Sequence, residues 1–265
     1  MNMNRIENLF GKKHNNLLSV FFTAGYPHAD STVPVIKALE AGGVDMVEVG
    51  IPFSDPMADG AVIQQSSSVA LRNGMTLCKL LEQVKEARTA GCEIPIVLMG
   101  YLNPIYKFGV EKFFISAKEA GADALIIPDL PFGEYMEQYR DLCRKYDLPM
   151  IMLITPETSD ERIRMIDDNC DGFIYMVSSA STTGVKSGFT PEQKRYFSHI
   201  NGMDLKHHRL IGFGISNHRT YSDACADSSG AIIGSKFIKC LDENPTPQDA
   251  VNALIKAISA ADSEK

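Results

Sequence analysis

Eight short apolar runs recur along the chain, beginning at Leu17, Met46, Ile96, Ala124, Met150, Phe173, Leu210 and Ala231, and helical patterns separate them. No other feature restricts the fold as much. The runs are apolar almost throughout, without the in-out alternation of a half-exposed sheet, so helices are expected on both faces of a parallel sheet. A short theme returns where helix gives way to strand. It reads Gly43-Val44-Asp45-Met46-Val47 and Gly121-Ala122-Asp123-Ala124-Leu125, and more loosely Asn169-Cys170-Asp171-Gly172-Phe173 and Ser228-Ser229-Gly230-Ala231-Ile232. One supersecondary unit repeated eight times predicts an α/β fold, the (β/α)8 TIM barrel, with an N-terminal helix and extra helices. A doubly wound open sheet is the rival, but no Gly-x-Gly-x-x-Gly follows the first strand. No low-complexity linker divides the chain, so residues 1–265 are read as one barrel domain.

The helical spacing covers Arg5 to Phe10, Val33 to Ala41, Val62 to Arg72, Thr76 to Thr89, Val110 to Ala120, Glu134 to Tyr146, Asp160 to Asn169, Pro191 to Ile200, Asn217 to Ala226 and Pro247 to Ala260. Asp30 or Ser31 is expected to cap the second of these and Ser159 the seventh, and Gly42-Gly43 stops the second.

Several function classes drop out on composition. A net charge of -7 spread over interspersed acids and bases leaves no basic stripe, so no nucleic-acid partner is expected. The six cysteines form no Cys-x-x-Cys pair and are read as free thiols of a reducing, cytoplasmic compartment. No run approaches the roughly 18 apolar residues that span a membrane, and the N-terminus lacks a secretory pattern.

The chemistry concentrates in Val44 to Gly60, where a buried strand runs into a loop carrying Glu48, Asp55 and Asp59. Carboxylates are seldom buried without a partner or a task. If Met46 points into the barrel, the period of two sends Glu48 into its mouth, where desolvation raises its pKa towards neutrality. No basic residue lies between Gly42 and Leu71 to pair with it. Asp59 reads equally well as a turn residue, and Asp55 before Pro56 more so. Three carboxylates also suit a divalent ion, although no ligand triplet has metal spacing. Tyr101, Asp129 and Tyr175 follow or end strands and are candidates for the same mouth, the tyrosines serving equally as plain core, whereas His199, His207 and His208 read as surface residues. Barrels of this kind bind phosphate near the loops after strands seven and eight. Gly212-Phe213-Gly214-Ile215-Ser216 and Gly234-Ser235 occupy those places, the second opening a helix, with Gly184 and Gly188 as a third wall.

These residues resemble one family over nearly the whole chain, the tryptophan synthase alpha subunits. The most specific match is Glu48-Val49-Gly50-Ile51-Pro52-Phe53-Ser54-Asp55-Pro56-Met57-Ala58-Asp59-Gly60. It is supported by Asn8-Leu9-Phe10, Thr23-Ala24-Gly25-Tyr26-Pro27, Met99-Gly100-Tyr101-Leu102-Asn103-Pro104, Pro128-Asp129-Leu130-Pro131 and the two glycine turns. The resemblance implies a lyase that splits indole-3-glycerol phosphate into indole and glyceraldehyde 3-phosphate, with no cofactor of its own. Glu48 would move protons and Asp59 would hold the indole N–H. Phe21, Met99, Ile126, Ile154, Phe213 and Ile232 would form the indole pocket beside Tyr101 and Tyr175. Phosphate would lie on Gly184, Phe213, Gly214, Gly234 and Ser235. The family works as an alpha2beta2 heterotetramer with a pyridoxal-phosphate beta subunit, which the loop at Asp55 and Pro56 and the loop after strand six would face. In that second loop the chain departs from the frequent Gly-Val-Thr-Gly, reading Ser178-Ser179-Ala180-Ser181-Thr182-Thr183-Gly184, but it keeps Thr183 and Gly184. Two other readings stay open: a different phosphate-binding barrel enzyme, and a non-catalytic subunit that only activates a partner.

Overall fold

The computed structural model describes residues 4–178 and 188–259. Eight parallel strands form one sheet: β1 Leu17–Thr23, β2 Met46–Gly50, β3 Ile96–Met99, β4 Ala124–Ile126, β5 Met152–Ile154, β6 Phe173–Val177, β7 His208–Gly212 and β8 Gly230–Ile233. The order β4-β3-β2-β1-β8-β7-β6-β5 leaves β4 and β5 at its two edges. These edges meet through a bridge between Leu125 and Met150, with Leu125 N–H donating to Pro149 O at 2.9 Å and Ile151 N–H donating to Leu125 O at 2.8 Å. The fold is therefore the expected (β/α)8 barrel, with its narrowest seam at β4 and β5.

The helices are α1 Arg5–Lys12, α2 Thr32–Ala41, α3 Ala61–Arg72, α4 Leu77–Thr89, α5 Leu102–Phe108, α6 Val110–Ala120, α7 Phe132–Glu134, α8 Arg140–Tyr146, α9 Asp160–Asn169, α10 Pro191–Asn201, α11 His218–Asp227, α12 Ser235–Glu243 and α13 Pro247–Ser259. Two features were not visible in the periodicity. The short α5, with Ile105 its one buried residue, presents too little apolar face. The stretch read as one helix from Glu134 to Tyr146 contains a π-helical turn over Tyr135–Tyr139, which buries both tyrosines. Ser159 caps α9 as expected, accepting from Arg162 N–H at 3.3 Å. Ser31 sits at the cap position of α2, but its hydroxyl accepts from His28 N–H instead of from the helix.

The Asp in the recurring turn has a physical task. Asp45, just ahead of β2, accepts the Leu18 N–H of neighbouring β1 at 2.8 Å, and Asp123, just ahead of β4, accepts the Ile96 N–H of neighbouring β3 at 2.8 Å. Each carboxylate satisfies a donor where a strand enters the sheet. Asp123 is also paired with Arg88 at 2.6 Å, which suits its burial.

Apolar side chains divide into two cores. The larger fills the space between strands and helices, and the smaller fills the barrel with Leu17, Met46, Val97, Ile126, Phe173 and others. Ile6 and Phe10 of α1 join the inner core and plug its floor. His208 belongs to that floor and is not a solvated surface residue: it stacks on Phe10 with ring centroids 4.5 Å apart and its Nδ1 lies 2.8 Å from Ser229 Oγ. His207 is likewise half-buried, against Asp167 at 3.0 Å. Among the described residues, the cavity opens at the opposite end of the barrel.

Candidate active site

At the open end, Met46 points into the inner core and the period of two carries Glu48 in with it. Glu48 is wholly buried. Its Oε1 accepts a 2.8 Å hydrogen bond from Ser19 Oγ, and its Oε2 has no hydrogen-bond partner among the described residues. Burial pushes the carboxyl up to about 8, and the Ser19 hydroxyl only partly opposes the rise. Near neutral pH such a group holds a proton that it can readily give and take back.

Asp59 ends the loop after β2. Its Oδ2 accepts from Tyr101 Oη at 3.1 Å, and the same hydroxyl accepts the Ala58 N–H at 3.0 Å. Gln64 on α3 donates to Asp59 O at 2.8 Å. Burial raises the Asp59 carboxyl and the Tyr101 hydroxyl opposes this. Tyr175, on β6, is buried beside both carboxyls, and burial followed by their negative charges keeps its hydroxyl protonated.

One cavity of about 720 Å³ brings together Glu48, Asp59, Phe21, Met99, Tyr175, Phe213, Gly214, Ile232, Gly234 and Ser235. Two glycines keep it open. A Cβ at Gly212 would lie 2.2 Å from Tyr175 Oη, and one at Gly50 would lie 2.5 Å from Phe21 Cζ, so the inward rings occupy space that any side chain there would take. Far from the carboxylates in the chain, Phe213 and Gly214 adopt successive left-handed conformations, φ 72° and 75°, with Ser178 Oγ donating to Phe213 O at 2.8 Å. A left-handed Phe is unusual and is held by its surroundings. The ring it turns inward meets Tyr175 edge-on, centroids 6.2 Å apart. Beside it Gly234, at the N-cap of α12, has no side chain to occupy the first N–H groups of that helix. The cavity thus has an acidic pole and an anion-accepting pole, with apolar rings between them.

Four expected residues lie off the cavity wall. Ile126 is fully buried within the inner core, in register with Met99 but not on the cavity wall. Ile154 faces outward to the helices, because on β5 it is Leu153 that packs on the inner core. Tyr101 acts on Asp59 instead of on the cavity, and its ring packs against Phe53. Asp129 accepts the Leu102 N–H at 2.8 Å, serving the start of α5. Thr183 and Gly184 lie outside the described residues. Sequence reasoning missed Lys236 and Lys239, which also line the cavity. Their signal was present: they follow Gly234-Ser235 with the three-residue spacing of one helix face. It missed Ser19 as well, one of two polar residues in the otherwise apolar β1. Among the described residues no group of three or more His, Cys, Asp or Glu is placed to hold a metal ion.

Residues 7–264 match the family model of the tryptophan synthase alpha chain. The chain belongs to the tryptophan synthase alpha chain family. Among its relatives, the alpha chain of Parabacteroides distasonis is 56% identical over 97% of this chain and 99% of its own length. That of Bacteroides fragilis is 53% identical, covering 97% of each. Among solved structures, the alpha chain of Legionella pneumophila superposes with a TM-score of 0.85 at 32% identity, over 99% of this chain and 100% of its own. A chain of the tryptophan synthase complex from Pyrococcus furiosus superposes with a TM-score of 0.83 at 31% identity, over 93% and 98%. The alpha-chain fold is therefore shared over nearly the whole chain.

Proposed function

We propose that this alpha chain cleaves indole-3-glycerol phosphate to indole and glyceraldehyde 3-phosphate, with Glu48 as proton carrier and Asp59 as partner of the ring nitrogen. What carries the reading is a wholly buried carboxyl that burial pushes up to about 8, with one oxygen unpartnered among the described residues, in the same cavity as Asp59 and opposite an anion-accepting turn. The phosphate binds at Gly214, Gly234 and Ser235, on the positive end of α12, and Lys236 and Lys239 add charge there. The ring lies among Phe21, Met99, Tyr175, Phe213 and Ile232.

The chemistry is a retro-aldol cleavage. Protonated Glu48 gives its proton to the ring carbon that carries the glycerol chain, which leaves positive charge on the ring nitrogen. Ionised Asp59 stabilises that charge. The carbon-carbon bond then breaks, its electron pair restores the indole ring, and the adjacent hydroxyl becomes the aldehyde of the second product. Its proton goes to the Glu48 carboxylate, so the carboxyl ends the cycle protonated as it began. The reaction needs no net proton and no cofactor of its own.

The beta subunit is the partner, in an alpha2beta2 assembly. The loop after β2 offers it Asp55 and Met57, the latter 89% exposed although apolar. No helix among the described residues is long and apolar enough to cross a membrane, and we place the enzyme in the cytoplasm as one barrel domain over residues 1–265. The test is indole release from indole-3-glycerol phosphate by purified protein, slow alone and much faster with a beta subunit. Untouched substrate in both conditions overturns the reading, and cleavage of another phosphorylated substrate in its place favours a different barrel enzyme.

A further inference from the structure

Glu48 makes its one side-chain hydrogen bond among the described residues to Ser19, 2.8 Å away and, like Glu48, fully buried. The register of β1 on β2 sets Ser19 beside Met46 and Phe21 beside Glu48. Ser19 is therefore one layer deeper in the barrel than the carboxyl it binds, and it reaches Oε1 from below. It stands at the boundary between the apolar filling under the site and the cavity above. Among the described residues, the other titratable groups on the cavity that holds Glu48 are Tyr175 from β6, Asp59 from the loop after β2, Glu157 from the loop after β5, Glu192 and Tyr196 from α10, and Lys236 and Lys239 from α12. None of them is hydrogen-bonded to the carboxyl, whose side-chain bond is to Ser19.

We infer that Ser19 is a positioning residue for the proton carrier: it anchors Oε1 so that Oε2 is the oxygen presented to substrate, and it sets the pH range over which the proton moves. The inference rests on the proposed role of Glu48. A hydroxyl that donates to a carboxylate stabilises the ionised form, so Ser19 restrains the rise that burial causes. Without it the carboxyl becomes a weaker acid and its two oxygens lose their distinction. A group that must both give and accept a proton works best with a pKa close to the working pH, and Ser19 holds Glu48 there.

The experiment compares Ser19→Ala and Ser19→Thr with the parent, each as the full chain with its beta subunit. Two quantities are followed: kcat and KM for indole release across pH, and the titration of the Glu48 carboxyl by difference infrared spectroscopy against Glu48→Gln. A hydrogen bond to a charged group has a strength that corresponds to a change of about one pH unit or more on removal. Ser19→Ala is expected to raise the infrared midpoint by about that much and to move the alkaline limb of kcat with it. Its plateau kcat falls several-fold while KM changes less than about twofold, since a weaker acid transfers its proton more slowly. Ser19→Thr, which keeps the hydroxyl, restores both. Equal midpoints in Ser19→Ala and parent overturn the inference, as does a raised midpoint with an unchanged pH dependence of kcat. If the parent cleaves no substrate, the assigned reaction fails on its own account. The infrared titration then decides the Ser19–Glu48 coupling: equal midpoints reject it and a raised one upholds it.

Discussion

Replacing Glu48 with Gln should make the protein both inactive and more stable, with a gain that depends on pH. In the folded chain the carboxyl is raised from its ordinary 4.5 to about 8, chiefly by burial. Between those values the unfolded chain releases the proton while the folded chain keeps it. The unfolded state binds fewer protons there, so stability falls as pH rises. With about 1.36 kcal/mol for each pH unit between the two values, the penalty is nearly absent below about pH 4, about 3 kcal/mol at pH 7 and close to 5 kcal/mol above pH 8. Gln cannot ionise. Its amide oxygen can accept from Ser19 as Oε1 does, and its amide N–H is left as poorly satisfied as the carboxyl proton it replaces, so the neutral forms are near parity. Urea unfolding of parent and Glu48→Gln from pH 4 to pH 8.5 should therefore give curves that coincide in acid and diverge by several kcal/mol in base. Turnover by the variant should fall by roughly two or more powers of ten, the scale of a positioned acid–base group. A stability difference that stays flat across pH would refute the reasoning, because it would mean that the Glu48 carboxyl ionises in the folded protein as readily as in the unfolded chain.

Asp59→Asn should likewise lower kcat by roughly 100-fold, since the neutral amide cannot stabilise positive charge on the ring nitrogen; near-normal turnover would remove Asp59 from the mechanism. Gly212→Ala puts a Cβ 2.2 Å from the Tyr175 hydroxyl and should destabilise the protein by about 1–3 kcal/mol while raising KM; thermal unfolding and kinetics unchanged from the parent would show that the ring moves freely.

How much of this was legible in the sequence depends on where the controlling interaction lies. The barrel was, because strands covered on both faces write continuous apolar runs, and Met46 with Glu48 fixed the inward side of β2. Short strands were harder. On β5 nothing local distinguishes Leu153 from Ile154, both apolar, and only closure through Met150 sets which one faces inward. Contacts between elements distant in the chain left no local trace. Asp129 read as a residue of the mouth, yet it satisfies the Leu102 N–H across 27 positions; His208 read as surface, yet it rests on Phe10 from α1. Ser19 was invisible for the same reason, since its partner lies 29 residues away.

The site is divided between two separate parts of the sheet. The carboxyl chemistry comes from β2 and its loop, whereas the anion-accepting turns come from β7, β8 and the start of α12. A parallel barrel brings them together because β1 alone separates β2 from β8 in the sheet. β1 then contributes to both sides of the cavity: Ser19 holds the Glu48 carboxyl, while the Phe21 ring packs over Gly50 and lies 3.4 Å from where a Cβ at Gly234 would stand. A displacement of β1 would therefore disturb the acidic pole and the anion pole together. The strand that carries no acid or base of its own thus sets the spacing between the two poles of the cavity.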